Sequence, residues 1–339
     1  MLDNANIPMI LMIGASSKPV MDRINMLRQI KSTVYPPALL TYLLTMPEPL
    51  REYFPEIGHD LTLVTWEHAV NSKEKLEKAL AGDSLMIEAD ISLGYVIGDV
   101  TKELRPIMAH PPANTSDLSL EDFLYIFSKS SARKGIKLDF KSKEAFSHSE
   151  FILEASLYNR DVDYPVWLNA DIIKGPVNSE VQPVDADYFL SRSVTKFPVA
   201  TLSVGWTTRF GNGIDKGEYT VGIIEEMTDA LNRNLVTSPV TFAVRAAIAA
   251  QSYEQLSNLI GSSVPGTTLT IWCGSNDKTD LNLLRRLIHG IGRDKIYLDL
   301  PPEMIVDLAF PVVSGTDIGK QSPLVSAAIL ALGSAFLAR

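Results

Sequence analysis

From Leu61 onward the chain alternates between two kinds of segment, and few folds accept that rhythm. Short β-branched or apolar runs recur at Leu61–Val70, Leu85–Ile91, Pro106–His110, Ile136–Lys141, Val166–Ile172, Ala200–Trp206, Val240–Arg245 and Thr268–Cys273. Amphipathic stretches with helix signals lie between them: Ser72–Leu80, a segment opened by the Ser119/Asp122 capping pair, Lys143–Tyr158, Ala186–Lys196, Thr220–Arg233, Ser252–Ile260 and Leu281–Ile291. Eight strands, each followed by a helix or loop, predict a single closed (β/α)₈ TIM barrel over residues 61–310. An open doubly wound sheet would carry a glycine-rich phosphate loop after its first strand, and none is present. Pro36, Pro37, Pro47 and Pro55 break up a helical extension over residues 1–60. Lys295–Leu300 reads as an extra strand packed outside the barrel.

Parallel strands covered on both faces should be almost wholly apolar, yet several of these are not. Their polar residues keep a period of two. Glu88 and Asp90 share one face while Ile87, Ala89 and Ile91 take the other. Lys137, Asp139 and Lys141 oppose Ile136, Leu138 and Phe140; Asn169 and Asp171 fall together, and Arg245 lines up with Thr241 and Ala243. Helices cover the outside of a barrel, so the apolar face points outward and the charges point into the barrel or its mouth. Uncompensated charge there would cost several kcal/mol. Glu88, Asp90 and Asp139 are hard oxygen ligands of the type that Mg²⁺ or Ca²⁺ prefers. Lys137 and Lys141 are then left to neutralise an anionic substrate. The alternative is a buried salt-bridge network of the same lysines and carboxylates.

Of five histidines, His68 and His110 close the first and third runs and flank the acidic second one, where they can serve as a general acid and a general base. His59, His148 and His289 lie in a connection or on helices. A cation, two imidazoles and two lysines at one mouth suit phosphodiester cleavage. Trp206 and Trp272 end the sixth and eighth runs, where each can stack on a substrate or simply pack. Arg245 can hold a phosphate or carboxylate bidentately or pair with Asp171. In the first role it would equally suit a metal-dependent aldolase or lyase, a reaction with no need of two histidines. No Ser or Cys stands in a nucleophile-elbow setting, which argues against covalent acyl chemistry.

Composition narrows the partners. The formal charge is −9 and no run of Lys and Arg occurs, which argues against nucleic acid as the main partner. The single cysteine, Cys273, rules out an intrachain disulfide and a Cys-based zinc site. The apolar run Ile7–Ala15 has no preceding Lys or Arg and makes a poor signal peptide. Residues 311–339 place small residues, a polar stretch and an apolar end in the order of a cleaved lipid-anchor signal, which a terminal amphipathic helix would also produce.

The ordered motifs resemble those of the menorin family, also called family with sequence similarity 151. The residues that carry the resemblance are Trp66-Glu67-His68-Ala69-Val70-Asn71-Ser72, Glu88-Ala89-Asp90, Ile107-Met108-Ala109-His110-Pro111-Pro112 and Ser116-Asp117-Leu118. They continue with Gly135-Ile136-Lys137-Leu138-Asp139-Phe140-Lys141, Trp167-Leu168-Asn169-Ala170-Asp171 and Leu202-Ser203-Val204-Gly205-Trp206-Thr207-Thr208. That family is similar in turn to barrel phosphodiesterases of the phospholipase-C-like type, among them glycerophosphodiester phosphodiesterases and sphingomyelinase D. The resemblance implies that His68, with Asn71 beside it, and His110 form the acid–base pair. It implies that Glu88, Asp90 and Asp139 bind Mg²⁺, with Ca²⁺ as the other choice, and that Lys141 contacts phosphate. The expected ligand is a phosphodiester or phospholipid-like small molecule, met by Lys137, Lys141, Asn71, Asn169, Asp171, Trp206 and Arg245. The His-Arg-Gly and Glu-Asn-Thr signatures of glycerophosphodiesterases are absent, and Pro-Pro follows His110 where an Asp is usual. The resemblance also implies an extracellular or cell-surface protein, and with it the alternative of a non-catalytic patterning ligand for cell-surface receptors.

Overall fold

The computed structural model describes residues 49–157, 164–263, 266–274 and 277–308. Most of the predicted extension and the whole predicted tail, with its anchor signal, lie outside the described residues. Ten strands occur among them: β1 (Trp66–Glu67), β2 (Met86–Val96), β3 (Arg105–Met108), β4 (Thr115–Ser116), β5 (Gly135–Phe140), β6 (Val166–Lys174), β7 (Thr201–Thr207), β8 (Val240–Arg245), β9 (Thr268–Trp272) and β10 (Ile296–Asp299). Eight of these pair in parallel in the order β1-β2-β5-β6-β7-β8-β9-β10, a nearly closed (β/α)₈ barrel. The remaining seam, between β10 and β1, is crossed by side chains: Trp66 packs edge-on to Tyr297, and His68 reaches Asp299.

Two strands exchange the places that the sequence suggests. Pro106–His110 is not a barrel stave. β2 runs past Ile91 to Val96, and β3 returns antiparallel against it, with Ile91 opposite Met108 and Gly94 opposite Arg105. The physical reason is the missing crossover: a parallel return needs a long connection, usually helical, and no amphipathic helix separates Ile91 from Pro106. The eighth stave is β10, within the run read as an outside strand. It follows a helix, α9 (Leu281–Ile291), and pairs in parallel with β9. The first run also shrinks. Leu61–Leu63 is a 3₁₀ turn capped by Asp60, whose Oδ1 accepts the Thr62 N–H at 3.1 Å, and only Trp66–Glu67 is extended.

The described helices are α1 (Pro49–Tyr53), α2 (Lys73–Ala81), α3 (Leu120–Lys129), α4 (Lys143–Leu157), α5 (Ala186–Lys196), α6 (Val221–Arg233), α7 (Ala246–Ala249), α8 (Tyr253–Ser262), α9 and α10 (Pro302–Asp307). Side chains close several N-termini: Ser72, Ser119 and Asp185 accept backbone N–H groups from Lys75, Asp122 and Tyr188.

Core composition reports which face is which. The large apolar cluster takes Ile87, Ala89 and Ile91 of β2, Ile136, Leu138 and Phe140 of β5, and Leu202, Val204 and Trp206 of β7, together with the buried faces of the helices. The alternate residues therefore point inward. At the N-terminal ends of the strands the interior is apolar too. Met86, Trp167 and Tyr297 there meet Leu50, Phe54, Ile57, Leu61 and Val64 from the segment before β1. Trp167 contacts both Trp66 and Tyr297 edge-on, at centroid distances of 5.4 and 5.0 Å. This floor closes the barrel from below and confines polar groups to its upper half. Residues 50–57 thus belong to the barrel's packing. Phe54 is fully buried, so Phe54→Ala should cost about 3–5 kcal/mol in denaturant unfolding. A loss below about 1 kcal/mol would mean that this segment merely rests on the barrel.

Candidate functional site

Strand register builds the site. β2 and β5 pair so that Glu88 sits beside Lys137 and Asp90 beside Asp139, all on the inner face. One carboxylate oxygen from each of Glu88, Asp90 and Asp139 lies within 4.8 Å of the others. Glu88 and Asp90 are buried and Asp139 is half-buried. The Lys141 ammonium bonds two of them, at 2.7 Å from Asp90 Oδ1 and 2.5 Å from Asp139 Oδ2.

The chain after β1 turns sharply over this cluster. Ala69 has a positive φ of 53°, and the turn aims its N–H at Glu88 Oε2, 2.8 Å away. The Asn71 amide then clamps Asp90 twice: Nδ2 donates to the carboxylate at 2.7 Å, and Oδ1 accepts the Asp90 backbone N–H at 2.9 Å. Asn71 holds a carboxylate in place, so the expectation that its amide meets a ligand gives way to a positioning role. His68, just before the turn, has an exposed ring whose Nδ1 lies 3.2 Å from Glu88 Oε2 and 3.4 Å from Asp299 Oδ1.

Asp299 is a residue of the candidate site that sequence reasoning misses. It is buried on β10, accepts the Lys137 ammonium at 3.4 Å and faces His68. A signal exists, because Tyr297 and Asp299 alternate with Ile296 and Leu298 as in the other staves, but the run reads as lying outside the barrel. Lys137 is also buried. Its ammonium lies 5.5 Å from the centre of the Trp66 ring and serves Asp299, so it supports the site from beneath rather than meeting a ligand.

The charges do not cancel. Glu88, Asp90, Asp139, Asp171 and Asp299 face Lys137, Lys141, His68 and His110, five acids against four bases, which leaves one negative charge even if all are ionised. The surplus shows in the titrations. Burial first, and then the Asp90 charge, push Glu88 above the usual carboxylate range. Burial, with the Asp139 charge behind it, pushes Asp171 up to about 7. Burial also acts against Asp90, but Lys141, Asn71 and the nearby His110 outweigh it and hold that group low. Glu88, the largest influence, and Asp299 together raise His68 to about 9 against the cost of burial. Such electrostatics suit a divalent cation, and the three clustered carboxylates could hold one.

The other predicted residues divide. His110 follows β3, and the antiparallel return brings it back toward the level of Asp90, since the Ala109 N–H donates to the Asp90 carbonyl. Its ring is exposed, and Nδ1 donates to the Pro111 carbonyl at 2.7 Å, which leaves Nε2 as the ring atom not engaged by that contact. Asn169 is buried beside Asp139 and accepts the Ser203 hydroxyl at 2.6 Å. Trp206 does not line the mouth. It belongs to the outward set of β7, packs on Tyr219 and Phe242, and donates to the Ile223 carbonyl; strict alternation from Ser203 and Gly205 puts it there. Arg245 is bound bidentately by Asp277, at 2.7 and 2.6 Å, and not by Asp171. Its guanidinium lies 5.5 Å from the Trp272 ring centre, so it is not a free anchor for a phosphate.

A family model described as the Menorin N-terminal domain matches residues 60–305. Protein FAM151B of Homo sapiens is 37% identical over 257 residues, which covers 75% of this chain and 89% of that protein. Among solved structures, a glycerophosphoryl diester phosphodiesterase from Parabacteroides distasonis is 16% identical with a TM-score of 0.43, covering 77% of this chain and 94% of that one. An endo-β-mannanase/endo-β-glucanase of Prevotella bryantii is 10% identical with a TM-score of 0.42, covering 81% and 47% respectively. The barrel is established by its own strand order rather than by these two likenesses.

The His68 environment gives a direct test in the metal-free protein. Its folded pKa of about 9 exceeds the ordinary value of 6.5, so its contribution to stability is complete below about 6.5 and is lost as pH rises through 9. An NMR titration should find the His68 ring protonated at pH 7.5 with a midpoint near 9. A midpoint at the ordinary value would mean that Glu88 and Asp299 do not hold it.

Proposed function

The chain belongs to the menorin family, and from that premise we propose that its barrel mouth is a divalent-metal-dependent phosphodiesterase site. The observation that carries this reading is the convergence of Glu88, Asp90 and Asp139 within 4.8 Å, beside a histidine held by two acids, Glu88 itself and Asp299. Those three carboxylates would hold Mg²⁺, or Ca²⁺ in its place, and such an ion supplies Lewis-acid stabilisation of charge on phosphoryl oxygens.

The chain's own groups divide the remaining work. Lys141 is one-fifth exposed and sits at the upper edge of the carboxylates, where it can contact a phosphate oxygen as well as Asp90 and Asp139. His68 carries a proton on the ring that Glu88 and Asp299 orient, so it is the proton donor to a leaving oxygen. His110 commits Nδ1 to the Pro111 carbonyl, so Nε2 is the atom it would offer as the matching base for an attacking hydroxyl or water. Asn71, Asp299 and Lys137 act through these groups by fixing Asp90 and His68. The substrate is a phosphodiester or phospholipid-like small molecule, and the expected setting is extracellular or the cell surface.

One observation favours a second reading. Lys141 already satisfies Asp90 and Asp139 without a cation, as a purely structural network would. The barrel would then be a rigid scaffold that binds cell-surface receptors, and partner capture would survive loss of both histidines.

The discriminating experiment is a metal titration coupled to a phosphodiester panel. Turnover should require Mg²⁺ or Ca²⁺. His68→Ala should lower kcat by about 10²–10⁴-fold, and Asp90→Asn should weaken metal dependence along with rate. Binding of neither metal, or turnover untouched by His68→Ala, would remove the proposal.

A further inference from the structure

Asp171 is the acid of the barrel interior that its neighbours leave unanswered. It lies on β6, two residues beyond the register partner of Asp139, and outside the trio of clustered carboxylates. Among the described residues no hydrogen bond or ion pair reaches its carboxyl group; it feels the lysines and Asp139 only at a distance. The side chain leans across β7. A Cβ at position 205 would collide with Asp171 Oδ1, so glycine there keeps the space that the carboxyl occupies. The next strand continues the opening with Ala243, in register with Gly205. Beyond it, the Arg245 guanidinium is closed off by Asp277.

A half-buried carboxyl group without a donor costs free energy. The cations that could answer it are committed elsewhere: Lys141 to Asp90 and Asp139, Lys137 to Asp299, and Arg245 to Asp277. What the wall lacks at this point is a hydrogen-bond donor, and the half-buried carboxyl group is open to one from the barrel interior. We infer that Asp171 receives a hydroxyl on the alcohol moiety of the bound phosphate ester, so that the site prefers hydroxylated alkyl phosphates to their plain alkyl isosteres. The inference rests on the phosphodiester reading above and adds the substrate class to it. Discrimination of this kind comes mainly from the acid left unpaired when the hydroxyl is missing.

The test is calorimetric and needs no turnover. The full chain with Mg²⁺ is titrated with 2-hydroxyethyl phosphate and with n-propyl phosphate, in which a methyl group replaces the hydroxyl. At pH 8.5, where the Asp171 carboxyl group is ionised, wild type should bind the hydroxylated ligand about 10–100-fold more tightly, the range of a hydrogen bond to a charged group. Asp171→Ala should bring the ratio of the two affinities to about one, and Asp171→Asn should restore part of it. Gly205→Ala should also collapse the ratio, because its Cβ displaces the carboxyl group. Equal affinities in wild type, or a preference that persists in Asp171→Ala, overturn the inference and leave the phosphate site standing. If neither ligand binds, both readings fall.

Discussion

In-register pairing of β2 with β5 sets Asp90 beside Asp139, two like charges in the wall of a barrel, and the rest of the mouth answers that juxtaposition. Lys141 bridges the pair, Asn71 clamps the Asp90 side, and Glu88, one repeat of the pleat below, is pushed toward its neutral form. Natural barrels place reactive groups at the C-terminal strand ends because loops there can vary while the strands below stay packed. This chain follows that division. Its lower interior is filled by Trp167, Tyr297 and Met86, sealed from beneath by Phe54 and Leu50. With the floor closed, the carboxylates can meet solvent or a ligand only from above.

Support for the site comes from unusual places in the chain. The β1 stave is only two residues long, and the turn after it commits the Ala69 N–H to Glu88 and the Asn71 amide to Asp90. The seam between β10 and β1 lacks ladder hydrogen bonds, and Asp299, Lys137, His68 and Trp66 knit it together instead. The same contacts that close the barrel therefore orient its histidine. Barrel closure and the setting of His68 are coupled at this seam, and substitutions at Asp299 would touch both.

Much of this is legible without coordinates. Alternation in Glu88-Ala89-Asp90 and Lys137-Leu138-Asp139 names the inner face, and the large outer cluster accepts every apolar residue assigned outward from those runs. Trp206 obeys the same alternation, but an aromatic at a strand end invites assignment to a pocket. Topology is less visible. Pro106–Met108 has the composition of a stave, and only the missing helix before it marks a hairpin return; counting it as a stave displaces β10 and hides Asp299. The partner of Arg245 is beyond reach, since Asp277 lies in a loop whose path no periodicity encodes. Asn71 is legible as a site residue, but its role depends on the Ala69 turn, which a sequence of ordinary residues does not announce.

Whether acids from two strands converge on a single cation is the question on which the chemistry turns. Diffraction from crystals soaked in Mn²⁺, recorded for its anomalous signal, addresses it without assuming any reaction. The expected result is one peak bounded by Glu88, Asp90 and Asp139, and its disappearance in Asp139→Asn crystals. The contradiction would be a map with no peak there at millimolar Mn²⁺ and Lys141 still bonded to both aspartates.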